Sequence, residues 1–341
     1  MISLSAIAKR SGVSVATVSL ALRGKPVARS TGDKVRKIAE EMGYRPNPLL
    51  ASLATKRFRS ASSAGGAPLA ILHFPEQGDK SDGRVKYSEL SDSLMSEAKN
   101  LGYAPEIHRL TNSSKTAPLS RTLYHGMVQG IIIHGSMDMA KFGDAFDWSH
   151  YAVVACGRFR TSLPFHTVRV NVFKSVKKVF AELLERGYRR IGFAMGRHDE
   201  SMEDDESRYG AARSMELNYM SARQNLSVYS GPLVEKAPFL QWVKKSKPDA
   251  VVGFNDLRYW HLRDAGYRMP EDLGFASLHL DEALNHNFCS GLYAMNDEIA
   301  RQSVLLLDQF IRNREQGRPE NPMDLLLTPT WHEGKTLQPR P

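Results

Sequence analysis

Cysteine is nearly absent: Cys156 and Cys289 are the only two among 341 residues. Two thiols cannot build the dense disulfide framework of a small secreted domain. They suit a reducing compartment, where each is expected to be a buried core thiol. Long apolar runs are missing too, and no stretch approaches the ~20 residues of a transmembrane helix. Met1-Ile2-Ser3-Leu4-Ser5 lacks the basic start and apolar run of a signal peptide. The expectation is a cytoplasmic protein that does not engage a membrane. Catalytic signatures are also lacking. The eleven histidines form no His-Glu-x-x-His, and no Cys/His cluster has zinc spacing. There is no phosphate loop, no Gly-x-Ser-x-Gly and no dinucleotide glycine fingerprint. No catalytic residue, metal ligand or cofactor is therefore expected.

What is present is positive charge in one place. The formal net charge is +9, and residues 1–60 hold 12 Lys/Arg against 3 Asp/Glu. The other 281 residues carry 34 of each sign, so they are neutral. A basic module on a neutral body points to a head that binds a polyanion and a body with a separate task.

Residues 3–43 read as three short helices. Leu4, Ile7 and Ala8 share one face; Val15, Val18 and Leu22 recur at helical spacing, as do Val35, Ile38, Ala39 and Met42. Gly12, Gly24-Lys25-Pro26 and Gly43 punctuate them. Ala8, Gly12 and Val18 have helix-turn-helix spacing: a small residue where the helices touch, a glycine for a turn position with φ > 0, and an apolar seal. Ser14 is placed to N-cap the second helix, whose N-terminal residues would then face a DNA groove. Arg45-Pro46-Asn47-Pro48 ends one element and starts another, and residues 49–55 are long enough only for a turn or two of helix formed in context. Residues 56–67 shift from basic to small and flexible, which marks a linker.

From Pro68 the pattern changes. Apolar runs at 69–74, 130–134, 151–156, 191–195, 250–254 and 275–278 alternate with helical stretches such as 89–101, 173–186 and 207–224. Continuous apolar strands between helices imply parallel sheets covered on both faces. About 270 residues is large for one sheet, so two lobes with a cleft are expected.

Two motifs carry a family resemblance. Residues Ile7-Ala8-Lys9-Arg10-Ser11-Gly12-Val13-Ser14-Val15-Ala16-Thr17-Val18-Ser19-Leu20-Ala21-Leu22 resemble the head of the lactose/galactose-repressor (LacI/GalR) family of bacterial transcriptional regulators. Gly43-Tyr44-Arg45-Pro46-Asn47-Pro48 and Leu53-Ala54-Thr55-Lys56 resemble its hinge. The resemblance implies a ligand-responsive regulator, of repressor type, that binds a pseudo-palindromic DNA operator as a homodimer. In it the second helix lies in the major groove, with Val15 and Ala16 at the main reading positions and Thr17 and Ser19 supporting. Leu20 stands where several relatives place Arg. Leu53 would wedge into the minor groove, flanked by Asn47 and Lys56. Val15 and Ala16 offer bases no hydrogen bonds, so readout is expected to lean on thymine methyls, phosphates and DNA deformability. Arg23, Lys25 and Arg29 are phosphate candidates, whereas Lys34, Arg36 and Lys37 read as a solvated face.

The resemblance further implies a small all-α helix-turn-helix head (1–46), a hinge and linker (47–67), and a periplasmic-binding-protein-like α/β body of parallel sheets (68–341). Its lobes are expected at 68–160 plus 292–321 and at 161–291 plus 322–341. A small-molecule effector, a sugar or related metabolite, would bind between them. Strand ends supply the candidates Phe74, Arg158, Asn255, Asp256, His279 and Asp281, and Arg208 approximates a family arginine. Trp260 is either a sugar-stacking ring or a core or surface tryptophan. The acidic run Asp199-Glu200, Glu203-Asp204-Asp205-Glu206 is either a solvated helix start or a feature favouring a cationic effector. His279 and Ala294 depart from the family pattern, which leaves open a regulator whose body has lost ligand sensing. An enzyme acting on a cleft ligand and a transport-type solute-binding protein are the remaining alternatives.

Overall fold

The computed structural model describes residues 4–22, 27–44, 66–74, 89–111, 114, 116–135, 146–157, 164–196, 203–221, 223–232, 235–280 and 288–340. The chain divides into two compact units, Met1–Ser63 and Ala64–Pro341.

The first unit holds the three expected helices, α1 (Leu4–Ser11), α2 (Val15–Leu22) and α3 (Arg29–Glu41). Ile7, Ala8, Val18, Ala21, Val35 and Ala39 close a small core. Gly12 turns the chain between α1 and α2 at φ +70°. An added Cβ would meet nothing there, so backbone conformation and not space calls for glycine. Beyond α3 the Gly43 N–H bonds the Glu40 carbonyl and the Tyr44 N–H that of Ala39, which satisfies the helix end.

The second unit contains two six-stranded sheets. The first is built from β1 (Ala67–Phe74), β2 (Tyr103–Arg109), β3 (Gly130–Gly135), β4 (Ala152–Cys156), β5 (His166–Val170) and β11 (Asp324–Leu327). Their order is β11-β5-β4-β3-β1-β2, all parallel. The second sheet comprises β6 (Arg190–Ala194), β7 (Asn225–Val228), β8 (Ala250–Gly253), β9 (Gly274–Leu280), β10 (Ser290–Tyr293) and β12 (Trp331–His332). The order is β12-β10-β9-β8-β6-β7, with β12 alone antiparallel.

Helices α4 (Glu89–Asn100), α5 (Thr116–His125) and α10 (Asn296–Asn313) serve the first sheet. Helices α6 (Val172–Glu185), α7 (Glu203–Tyr219), α8 (Lys236–Ser246) and α9 (Leu257–Asp264) serve the second. Alternation within β1 explains the layering. Leu69 and Ile71 pack with Leu94, Ala98 and Val304, while Ala70, Leu72 and Phe74 pack with Leu123, Phe146 and Trp148. Both faces are thus apolar, the reason the strand reads as a continuous hydrophobic run. Cys156 and Cys289 are both buried, and burial pushes each thiol up to about 12.

The chain crosses between lobes three times: after β5, after β10 and after β11. These places differ from the expected ones. β5 and β11 complete the first sheet, although 161–291 and 322–341 were assigned to the second lobe. β10 begins at Ser290 and completes the second sheet. These short strands add to existing edges, and pairing across the sheet decides their lobe, which local sequence does not encode. Likewise α7 spans Glu203–Tyr219, starting four residues earlier than the 207–224 stretch, because its acidic first turn is part of the helix.

Candidate DNA interface and effector site

In the head, α2 presents its N-terminal end outward. The Thr17 backbone N–H donates to Ser14 Oγ at 3.1 Å, and the two hydroxyls lie 2.9 Å apart, so Ser14 is the N-cap. Ser14, Val15 and Ala16 are exposed, Val15 at 45%, while Thr17 and Leu20 are half-buried and Val18 is fully buried against α1. The helix therefore divides into a sealing face and an exposed N-terminal end. Lys9, Arg10, Arg29, Lys34, Arg36 and Lys37 are all exposed around it. Arg36 is partly engaged: it pairs with Asp33 at 2.8 Å and donates to the Ala21 carbonyl at 3.4 Å. Arg10 lies 3.6 Å from Glu41. Ser19 belongs to α2, but its side chain, like Arg23, Lys25, Asn47, Leu53 and Lys56, lies outside the described residues.

In the body, the strand ends of the second sheet gather part of the expected set. Arg208, on α7, is buried, and its guanidinium lies over the Phe254 ring at 5.0 Å. The His279 ring stacks beside Phe254 at 5.8 Å and 16°. Asn255 follows directly, its Oδ1 accepting the Leu257 N–H at 3.2 Å. Asp256 Oδ2 accepts the Trp260 indole N–H at 2.9 Å, and Arg263 covers the Trp260 ring at 4.1 Å. Trp260 is thus a partly exposed surface ring tied to its own helix. Phe74 does not join this group. It ends β1 in the other sheet and is packed into that sheet's core. A Cβ on the neighbouring Gly135 would collide with the Phe74 carbonyl, so the two strand ends need that glycine to meet. Arg158 and Asp281 lie outside the described residues.

Residues 203–206 of the acidic run form the first turn of α7, the helix start expected of them, while Asp199 and Glu200 lie outside the described residues. Asp204 and Asp205 are buried within the first turn of α7. Arg208 lies 2.8 Å from Asp205 and 3.7 Å from Asp204, at helical spacings of three and four. Arg169, from β5 in the other lobe, reaches Asp204 at 3.4 Å, Glu203 at 3.5 Å and Asp324 of β11 at 2.7 Å. Burial alone would lower the Arg169 pKa. The hydrogen bond and charge of Asp324, with Asp204 and Glu203, outweigh burial and hold it above the ordinary guanidinium value. Asp324 is in turn held below the usual carboxylate range by Thr167 and Arg169, against its own burial.

Sequence reasoning missed Arg169, because nothing local distinguishes a strand arginine that will meet a helix of the other lobe. The Asp204/Asp205–Arg208 spacing was available as a signal. Also missed were Arg258, buried against the Pro232 and Glu235 carbonyls at 2.9 and 3.2 Å, and the pair His73–His134. The two imidazoles stack at 4.3 Å and 6° at the ends of β1 and β3, with His134 Nε2 2.8 Å from Ser91 Oγ. Burial, aided by the His73 charge, pushes His134 down to about 3. A hollow of 410 Å³ lined by Phe146, Asp147, Trp148, Ser149, Gly317 and Arg318 lies at the opposite, N-terminal end of β4 and contains none of the expected effector residues. Among the described residues no group of three or more His, Cys, Asp or Glu could hold a metal ion, and no helix is long and apolar enough to cross a membrane.

A capped helix-turn-helix head and a body of two parallel α/β lobes crossed three times define a class, that of helix-turn-helix proteins with a periplasmic-binding-protein-like body. The family model of the bacterial regulatory proteins of the lacI family matches residues 3–47 of the chain. The chain is 24% identical over 324 residues to catabolite control protein A of Staphylococcus xylosus, covering 92% of this chain and 93% of that one. Its fold is that of the transcriptional regulator CelR in complex with cellobiose (TM-score 0.60, 18% identity, 98% of this chain and 100% of that one). It is also that of the lac repressor dimer bound to operator and the anti-inducer ONPF (TM-score 0.58, 15% identity, 98% of each chain).

Proposed function

We propose that the chain is a DNA-binding transcriptional regulator, of repressor type, that acts as a homodimer on a pseudo-palindromic operator and responds to a small-molecule effector held between its lobes. The observation that carries this reading is the head. Ser14 caps α2, Val18 seals it to α1, and the exposed Val15 and Ala16 stand at its leading end amid basic side chains. One head reads only a few base pairs, so two copies on a two-fold site are required for useful specificity.

Arg208, Asn255, Asp256 and His279 are the effector contacts we assign to the second lobe. The cellobiose bound to CelR supports a sugar-like, uncharged effector. Asp204 and Asp205, already facing arginines, argue against a bare anionic patch that selects cations. We assign Arg158 and Asp281 to the same cleft, Asn47, Leu53 and Lys56 to the hinge, and Ser19, Arg23 and Lys25 to DNA contacts. The place of action is the cytoplasm, on the nucleoid, and the protein performs no catalysis. Genomic footprinting of the full chain and of a chain lacking residues 1–60 tests the reading. Discrete palindromic sites that vanish on truncation are expected. A truncated chain that still occupies those sites refutes it.

A further inference from the structure

Asp204 is the point where two networks meet. Its carboxylate is 4% exposed, and a buried carboxylate is costly unless paired. It has a guanidinium from each lobe: Arg169 of β5 at 3.4 Å and Arg208 of its own helix at 3.7 Å. Neither arginine is held by Asp204 alone. Arg208 also pairs with Asp205 and lies on Phe254. Arg169 also binds Asp324 and Glu203. β5 and β11 are the strands from which the chain makes its first and third crossings, at Asn171 and beyond Leu327. Arg169 therefore ties the base of two crossings to the first turn of α7, and Asp204 ties that knot to Arg208.

We infer that Asp204 is a positioning residue that couples occupancy at Arg208 to the angle between the lobes. The inference rests on Arg208 being an effector contact. An acceptor oxygen arriving at Arg208 competes with Asp204 for the guanidinium. Asp204 is then drawn toward Arg169, and α7 is pulled onto β5 and β11. A ligand shifts such an equilibrium only through differential contacts, and here the differential contact is one carboxylate divided between two cations. Coupling of this kind is reciprocal, so a lobe arrangement that engages Arg169 with Asp204 also frees Arg208 donors for the ligand. Glu203, Asp205 and Asp324 balance the two arginines from the side.

Double electron–electron resonance on the full chain tests this. Labels go on Arg121→Cys of α5 and Lys244→Cys of α8, both exposed and on different lobes. The two native thiols are buried and do not compete for label. Labelled chains are diluted into unlabelled protein so that each reports its own lobes. Without ligand, Asp204→Asn and Arg169→Gln are each expected to broaden the distance distribution about twofold, with Arg169→Lys restoring most of the narrow distribution. Unchanged distributions in both variants overturn the inference. Cellobiose is then added as the probe, with tryptophan fluorescence reporting binding separately. Narrowing in the parent that is lost in Asp204→Asn while binding persists supports the coupling. Equal narrowing in both overturns it. Failure of the parent to bind cellobiose counts against a sugar effector, and the ligand-free comparison still decides the role of Asp204.

Discussion

His134 makes the body sensitive to acid by an amount that follows from its position. The imidazole is buried at the end of β3, stacked on His73 and bonded to Ser91, and its pKa is lowered from 6.5 to about 3. The folded state therefore holds His134 neutral across a range in which the unfolded chain takes up a proton. The stability this group provides is complete above the unfolded value of 6.5 and is lost as pH falls toward 3. Within that window the loss approaches about 1.4 kcal/mol per pH unit, and between pH 7 and pH 5 it amounts to about 2 kcal/mol. Carboxylates and the other histidines titrate in the same range, so the measurement is a difference. Urea unfolding of the parent and of His134→Gln is followed by tryptophan fluorescence at both pH values. All four tryptophans, Trp148, Trp242, Trp260 and Trp331, lie in the second unit, so the signal reports that unit. His134→Gln is expected to cost stability at pH 7 and to recover about 2 kcal/mol relative to the parent at pH 5. A gap between the two proteins that does not change with pH refutes the reasoning, because the imidazole would then not be a buried neutral group.

Three further outcomes are expected. Ser14→Ala removes the cap of α2 and should cost about 1 kcal/mol of head stability, read as faster hydrogen exchange at the Thr17 amide; unchanged exchange there contradicts the capping geometry. Leu53→Ala should weaken operator binding far more than binding to random DNA, and equal losses on both would remove the wedge role. Raising salt should weaken operator binding steeply, log K falling about 0.9 per unit of log salt for each phosphate neutralised, whereas a flat response would deny that the basic head drives affinity.

How much was legible differs between the two units. The head was readable nearly to the residue because its determinants are local: a turn glycine, a cap three residues ahead of its target, and apolar residues one helical turn apart. The central strands β1, β3, β4, β6, β8 and β9 were readable for a related reason, since burial on both faces writes them as unbroken apolar runs. The edge strands were not. β2 reads Tyr-Ala-Pro-Glu-Ile-His-Arg, with proline and charge on a partly solvated edge; β5, although flanked by β4 and the edge strand β11, was equally hard to read because it carries Arg169 and two other half-exposed positions.

The sequence by itself determined the basic head, its helix-turn-helix and the alternating α/β body. Each depends on residues near one another in the chain or on bulk charge. Tertiary structure alone decided which lobe owns β5, β10 and β11, and that Asp204 and Asp205 are buried partners of arginines and not a solvated run. Arg169 and Asp204 stand 3.4 Å apart across two lobes and 35 positions of chain. The energy of a buried carboxylate depends on what surrounds it in space, and no local pattern records that.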